Sequence, residues 1–384
     1  MGFKDFSTPY DWSRVGRYKR IAQAVPGGMV DLSVGSPVDA VPDSVRKALA
    51  VSANDANACG YPVTGGTADL RRAICEWFRG CRDVEIEAIG LMWCDGRLQG
   101  GCGDDGVAAP TQLRRCGSPT ARELPHLRDR HPGAGATVVK VDDVAAVDSW
   151  RNIPGVKAIW VNSPSNPTGA VLSAAQLHDI VNAAREIGAV VLSDECYALM
   201  NWTKANDDEG NREAAIESSP CALRADVCDG RADGVVVLYS LSKQSNMAGY
   251  RTALLAGDAQ IISRMTAFRK QLGLIMPGPV QAAMAAGLRD AASVRAQHNR
   301  YHDRLGELVC ALRGYGYRVN MPQGALYVWT KAKSADCWTD MKALASIGII
   351  ASPGEFYGAP EYLRFSATAT DEQIHRACER LAQA

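Results

Sequence analysis

The spacing of apolar residues changes several times along the chain, and each change predicts an element. Val45, Leu49, Leu70, Ile74 and Phe78 recur at helical spacing on either side of the turn-rich string YPVTGG at 61–66, which predicts helix, glycine loop, helix. Three short runs rich in β-branched residues follow: AIWV at 158–161, AVVL at 189–192 and VVVLY at 235–239. Each reads as a buried strand of a parallel sheet. Between the first two, Leu177, Ile180, Val181 and Ala184 mark a helix over 174–187, which supplies a βαβ crossover. Residues 204–233 are polar and glycine-containing and are expected to form a surface insertion before the third strand. In the last third, helices near 293–312 and 371–381 and strands near 325–329 and 362–365 predict a smaller α+β unit. The fold class is therefore α/β, a large domain with a mainly parallel sheet between helices plus that smaller unit.

Composition bounds this picture. At 384 residues the chain exceeds the roughly 250 to 300 residues at which one core stops growing, so two domains are expected. Apolar residues make up 47% and charged residues 22%, an ordinary globular mixture. Lys plus Arg (42) balances Asp plus Glu (42), so no net field gathers nucleic acid or an anionic membrane. The first twenty residues hold no apolar signal core, and no later run approaches the ~20 apolar residues of a membrane helix; a cytoplasmic protein is expected. The 12 cysteines include no C-x-x-C pair. Cys75, Cys196, Cys310 and Cys378 fall in apolar-periodic stretches and are expected as buried free thiols rather than disulfides or zinc ligands.

The candidate chemistry sits immediately after the three strands, at the carboxyl edge where open parallel sheets bind ligands. After the first comes N-S-P-S-N-P-T-G, with Asn166, Pro167, Thr168 and Gly169. After the second comes S-D-E-C-Y, with Asp194 and Tyr197. S-L-S-K, with Ser240, Ser242 and Lys243, follows the third, and Arg251 lies eight residues beyond that lysine. Singly, each has an ordinary structural explanation as turn, cap or surface charge. In this order and at strand ends they form one constellation.

These motifs resemble fold-type I, class I/II aminotransferases over nearly the whole chain, and the resemblance implies the cofactor pyridoxal 5′-phosphate. It implies a cofactor-binding large domain over 41–279 and a small domain from 1–40 and 280–384. Lys243 would bind the cofactor as a Schiff base and then shuttle the substrate Cα proton, which requires a lowered pKa. Asp194 would face the pyridine nitrogen, keeping the ring an electron sink. Asn166 and Tyr197 would hydrogen-bond the phenolic oxygen, and Ser240, Ser242 and Arg251 would hold the phosphate. Tyr61 matches a tyrosine that reaches the neighbouring subunit's phosphate, so a homodimer with shared active sites is implied. Arg364, in Y-L-R-F-S, matches the arginine that grips the substrate α-carboxylate together with Asn166, and Gly35, in L-S-V-G-S-P, the glycine that lets backbone approach it.

The strings D-E-C-Y-A-L-M-N-W, S-L-S-K-Q-S-N-M-A-G-Y-R, I-M-P-G-P-V-Q-A-A-M and S-A-T-A-T-D-E-Q-I are similar to actinobacterial N-succinyldiaminopimelate aminotransferases of lysine biosynthesis. That similarity implies amino transfer from glutamate to N-succinyl-2-amino-6-ketopimelate. Another aminotransferase or a C–S lyase of the same fold, and a catalytically dead relative, stand as alternatives, because the fold alone does not select the reaction.

Residues 92–132 do not fit. The family's G-S-K phosphate loop and its Y-P-T-Y segment, whose first aromatic stacks on the cofactor, are missing there, replaced by a glycine-, arginine- and cysteine-rich string without period. Codons for residues 94–101 and 123–131 can be chosen so that the next frame reads A-T-V-G-S-K-E and N-Y-P-T-Y-E-I-G. The expectation is a compensated frameshift over about 92–132, and weak cofactor binding by the chain that carries it.

Overall fold

A computed structural model of the chain describes residues 12–86, 91–95, 114–117, 137–203 and 216–384. The expected phosphate loop and ring-stacking segment fall on 96–113 and 118–136, outside the described residues.

Helix α1 (Ser13–Gln23), strand β1 (Val30–Asp31), and helices α2 (Asp43–Ala53) and α3 (Ala68–Arg82) open the chain. Strands β2 (Leu91–Asp95), β3 (Arg114–Gly117), β4 (Thr137–Lys140) and β5 (Val156–Asn162) follow. Then come α4 (Ala174–Glu186), β6 (Val190–Asp194), α5 (Ala225–Cys228), β7 (Val235–Ser240) and α6 (Leu241–Gln244). The seven-stranded sheet has the order β2-β8-β7-β6-β5-β3-β4, where β8 is Thr252–Gly257. Only β8 runs against the rest, so the sheet is mainly parallel, as the continuous apolar runs require. Val235–Tyr239, Val191, Leu192 and Ile159 are all buried. The α4 crossover starts at a capping box between Ser173 and Gln176, a reciprocal pair that satisfies the first free backbone donors of the helix.

The remainder comprises α7 (Ala259–Gln271), α8 (Gly278–Arg289), α9 (Ala291–Gly314), β9 (Tyr327–Lys331), α10 (Cys337–Ser346), β10 (Ile349–Ile350), β11 (Ser352–Pro353), β12 (Tyr362–Ser366) and α11 (Asp371–Gln383). Strands β11, β12 and β9 form a separate antiparallel sheet, and β1 pairs with β10. The first strand and the last third thus share one small unit through β1.

Several expectations change. The boundary at 279/280 cuts α8, which packs against α2 and α3 and belongs with the large body. Strand β9 begins at Tyr327 rather than 325 because Ala325 takes a left-handed conformation, with its N–H on the Met200 carbonyl and its own carbonyl accepting from Trp202 Nε1. Residues 204–215 lie outside the described residues, but 216–233 are no surface insertion, since Cys221, Ala222, Leu223, Val227 and Cys228 are buried. Cys196 is buried, but Cys310 is exposed and Cys75 and Cys378 are half-buried. The inward positions of α9 are taken by Leu305, Leu308, Val309 and Leu312, which turns Cys310 outward.

Candidate active site

In the parallel register Asn162 stands opposite Asp194, and Asp194 opposite Leu238, so β5, β6 and β7 end nearly level. The chain folds back at the first end because the Asn162 side chain accepts the Asn166 N–H (2.9 Å) and donates to the Asp194 carbonyl (3.2 Å). This seats Asn166, which is buried. At the second end Asp194 is fully buried and accepts the Cys196 N–H (3.2 Å). The third strand runs directly into α6, which carries Lys243. Lys243 Nζ donates to the carbonyl of Gly35, from the segment that follows β1. The small unit reaches over this edge through Arg364, whose Nη1 donates to Asn166 Oδ1 (2.9 Å) and whose Nη2 donates to the Ser33 carbonyl (2.7 Å).

Burial is the main cause that pushes the Lys243 ammonium down from its ordinary 10.5 to about 8; the charges of Arg364 and Arg251 act in the same direction. A low-dielectric surrounding disfavours the charged form of an amine, and a lysine so shifted is available as a nucleophile and base. Burial likewise pushes the Tyr197 phenol well up. The buried Arg364 guanidinium has five N–H donors in one plane. Two partners occupy its ends, its Nε has none, and so donors remain for a planar anion.

The other expected residues are placed as follows. Ser240 caps α6, accepting the Ser242 N–H and donating to the Thr252 carbonyl (3.0 Å), so its one proton is engaged within the fold. Ser242 Oγ lies 2.7 Å from Ser240 Oγ and is the hydroxyl of the pair able to turn outward. Arg251 is exposed, with Nη1 on the Ala248 carbonyl (2.6 Å). Tyr61 is fully exposed on the loop between α2 and α3. Gly35 is packed tightly, since a Cβ there would lie 2.3 Å from the Tyr327 hydroxyl.

Three features of the site escape sequence reasoning. Tyr327 is buried, with its hydroxyl 2.8 Å from that of Tyr197 and its ring 4.2 Å beneath the Arg364 guanidinium. Arg82 and Glu195 form a wholly buried ion pair behind Asp194, in which Arg82 also donates to the Ser219 carbonyl and Glu195 accepts from Ser193 Oγ and the Ala222 N–H. Gln281 staples the Tyr61 loop, accepting the Thr67 N–H (2.8 Å) and donating to the Val63 carbonyl (3.1 Å). Arg82 alone left a signal: it extends the buried stripe Ile74, Phe78 at four-residue spacing, and an arginine there needs a partner.

Residues 132–381 match the family described as aminotransferase class I and II. The chain belongs to that family. One relative, the 4-dedimethylamino-4-oxo-anhydrotetracycline transaminase OxyQ of Streptomyces rimosus, is 39% identical over 97% of this chain and 98% of its own. An LL-diaminopimelate aminotransferase of Oleidesulfovibrio alaskensis is 25% identical over 97% and 96%. An aspartate aminotransferase mutant of Thermus thermophilus superposes with a TM-score of 0.83 at 21% identity, covering 100% of this chain and 99% of that one, which speaks for the fold. Class I and II aminotransferases are pyridoxal-phosphate-dependent transaminases. This aminotransferase presents a half-buried amine of lowered pKa, a buried carboxylate and an arginine with spare donors at one sheet edge, a donor set that fits a ring with an aldehyde, a basic nitrogen and an anionic substrate beside it.

Proposed function

We propose that this transaminase moves an amino group from glutamate to a keto acid with a second carboxylate, N-succinyl-2-amino-6-ketopimelate. The observation that carries the acid class is Arg364, buried yet with unused donors above the cleft; two parallel hydrogen bonds to a carboxylate are what its planar fork is built for. The narrower acceptor rests on the motif strings of β6, α6 and the last third. In the bound state the cofactor supplies an electron sink for negative charge at the substrate Cα. Lys243 would hold the cofactor, and its amine of lowered pKa would take the proton from the substrate Cα. Asp194 would face the ring nitrogen, Asn166 and Tyr197 would donate to the phenolic oxygen, and Ser242, Arg251 and Ser240, which also caps α6, would hold the phosphate. Tyr61 serves the neighbouring subunit of a homodimer in the cytoplasm, and Gly35 brings backbone beside the substrate carboxylate.

A panel of keto acids assayed against glutamate, with protein in which the reading frame of residues 92–132 is restored, tests this. Fastest transfer to the succinylated amino-keto acid is expected; no transfer to any α-keto acid would overturn the reading. Preference for a polycyclic ketone favours the reaction named for the 39% identical relative. Release of ammonia and pyruvate from cysteine-type substrates without an acceptor marks a C–S lyase.

We also infer that residues 92–132 come from a shifted frame, which the start of the family match at residue 132 supports. Restoring the frame should return ordinary cofactor affinity, whereas the present chain should bind pyridoxal phosphate weakly. Full stoichiometric binding by the present chain, read from cofactor absorbance, removes the idea.

A further inference from the structure

Tyr327 touches three parts of the site with one side chain. Its hydroxyl is 2.8 Å from the Tyr197 hydroxyl. Its ring lies 4.2 Å beneath the Arg364 guanidinium, with Tyr357 on the same cation at 5.0 Å. Its hydroxyl also fills the space a Cβ at Gly35 would need. Each phenol has one proton to donate and lone pairs to accept. If Tyr197 spends its proton on an acceptor in the cleft, only Tyr327 can donate across the 2.8 Å contact. Hydrogen bonds in such a row polarise one another, so Tyr197 becomes the stronger donor. The ring does separate work, since a desolvated guanidinium stacked on an aromatic face is held in plane by cation–π attraction.

We propose that Tyr327 is a positioning residue that couples the two halves of the site, its hydroxyl driving the Tyr197 proton towards the cofactor's phenolic oxygen and its ring fixing Arg364 for the substrate carboxylate. This rests on the reading that Tyr197 faces the cofactor. Its steric corollary is that a Cβ at Gly35 would collide with the Tyr327 hydroxyl, whatever the substrate requires there.

The experiment uses the full chain at saturating pyridoxal phosphate, with two readouts that are not activity. One is the pH midpoint of the bound cofactor's visible absorbance change; the other is the affinity for 2-oxoglutarate, read from its perturbation of that absorbance. Tyr197→Phe removes a hydrogen bond to a charged oxygen and should raise the midpoint by about one to two pH units. Tyr327→Phe should raise it by a few tenths of a unit, the fraction expected from lost polarisation, and leave 2-oxoglutarate affinity unchanged because the ring remains. Tyr327→Leu should move the midpoint equally and also weaken 2-oxoglutarate binding roughly tenfold or more, the worth of a desolvated cation–π contact. A shift in Tyr197→Phe without one in Tyr327→Phe overturns the coupling alone. No shift in either overturns the placement of Tyr197 and the coupling with it. If Tyr327→Leu fails to fold, the Phe variant still decides the hydroxyl half.

Discussion

On the sheet side of the cleft, Asn166, Asp194, Tyr197 and Lys243 lie at or within four residues of the ends of β5, β6 and β7. On the small-domain side, Arg364 sits at the centre of β12 and Tyr327 at the start of β9, two antiparallel neighbours. The first group is assembled by topology, because parallel strands joined by right-handed crossovers deliver their carboxyl ends to one edge whatever else the chain does. The second is assembled by tertiary packing, and nothing local says which side chain of a half-buried strand will face a site. One side can therefore be damaged at a single residue with the scaffold intact, whereas damage on the other spreads through contacts shared with packing.

The largest expected effect lies on the sheet side. Lys243→Ala should abolish the cofactor's bound-state absorbance and lower turnover by more than about a thousandfold, since losing the covalent role proposed for Lys243 would leave only binding and positioning. Thermal unfolding of the cofactor-free protein should not fall, because the burial that lowers the Lys243 pKa makes the charged amine a cost to the folded chain near neutral pH. A large loss of stability in that variant would blur the contrast between the two sides.

The Arg82–Glu195 pair sharpens it further, because here the sheet side does depend on packing. Both side chains are essentially inaccessible, and removing one partner leaves an uncompensated buried charge. Arg82→Met should cost about 3–5 kcal/mol in denaturant unfolding. The double variant Arg82→Met/Glu195→Gln should recover much of that, since neither charge remains to be buried. Equal losses in single and double variants would show that the side-chain volume, not the charge, matters there.

On the small-domain side, Arg364→Lys keeps the charge and loses the fork. Nη1 to Asn166 and Nη2 to Ser33 cannot both be replaced by one ammonium. Losing charge-assisted hydrogen bonds of this kind corresponds to roughly a hundredfold in kcat/KM for the amino donor, with cofactor binding preserved. Loss of cofactor binding as well would mean that the two sides cannot be separated.

The same difference governs what could be read from sequence. The three central strands, their crossover helix and the lysine, aspartate and asparagine beyond them are legible because β-branched runs followed at once by polar residues have few other solutions. β8 is not legible, since TALLAG, 252–257, is as compatible with a helix as with a strand, and its antiparallel pairing is set by β7 and β2. Tyr327 is not legible because in G-A-L-Y-V-W-T its neighbours Ala325, Leu326, Val328 and Trp329 are all apolar, so the tyrosine looks like core. Ser240, expected at the phosphate, also caps α6, because a hydroxyl at a strand-to-helix junction serves the first turn as readily as a ligand.

The mildest test is pH. An amine pushed down to about 8 from an ordinary 10.5 binds its proton less tightly in the folded chain than in the unfolded one. Between those two values the unfolded state holds more protons, so stability contributed by this group rises with pH across that window and is flat below it. Only the neutral amine attacks an aldehyde, so the rate of pyridoxal phosphate capture by cofactor-free protein should climb about tenfold per pH unit up to about 8 and then level. Two of the charges that depress this amine come from opposite sides, Arg251 beyond α6 and Arg364 from the small unit. Arg364→Gln should therefore move the levelling point upward, though less than transfer of the amine to water would, because burial is the larger cause. If the profile of Arg364→Gln coincides with that of the parent, the small domain has no electrostatic hold on the lysine, and the two sides communicate through packing alone.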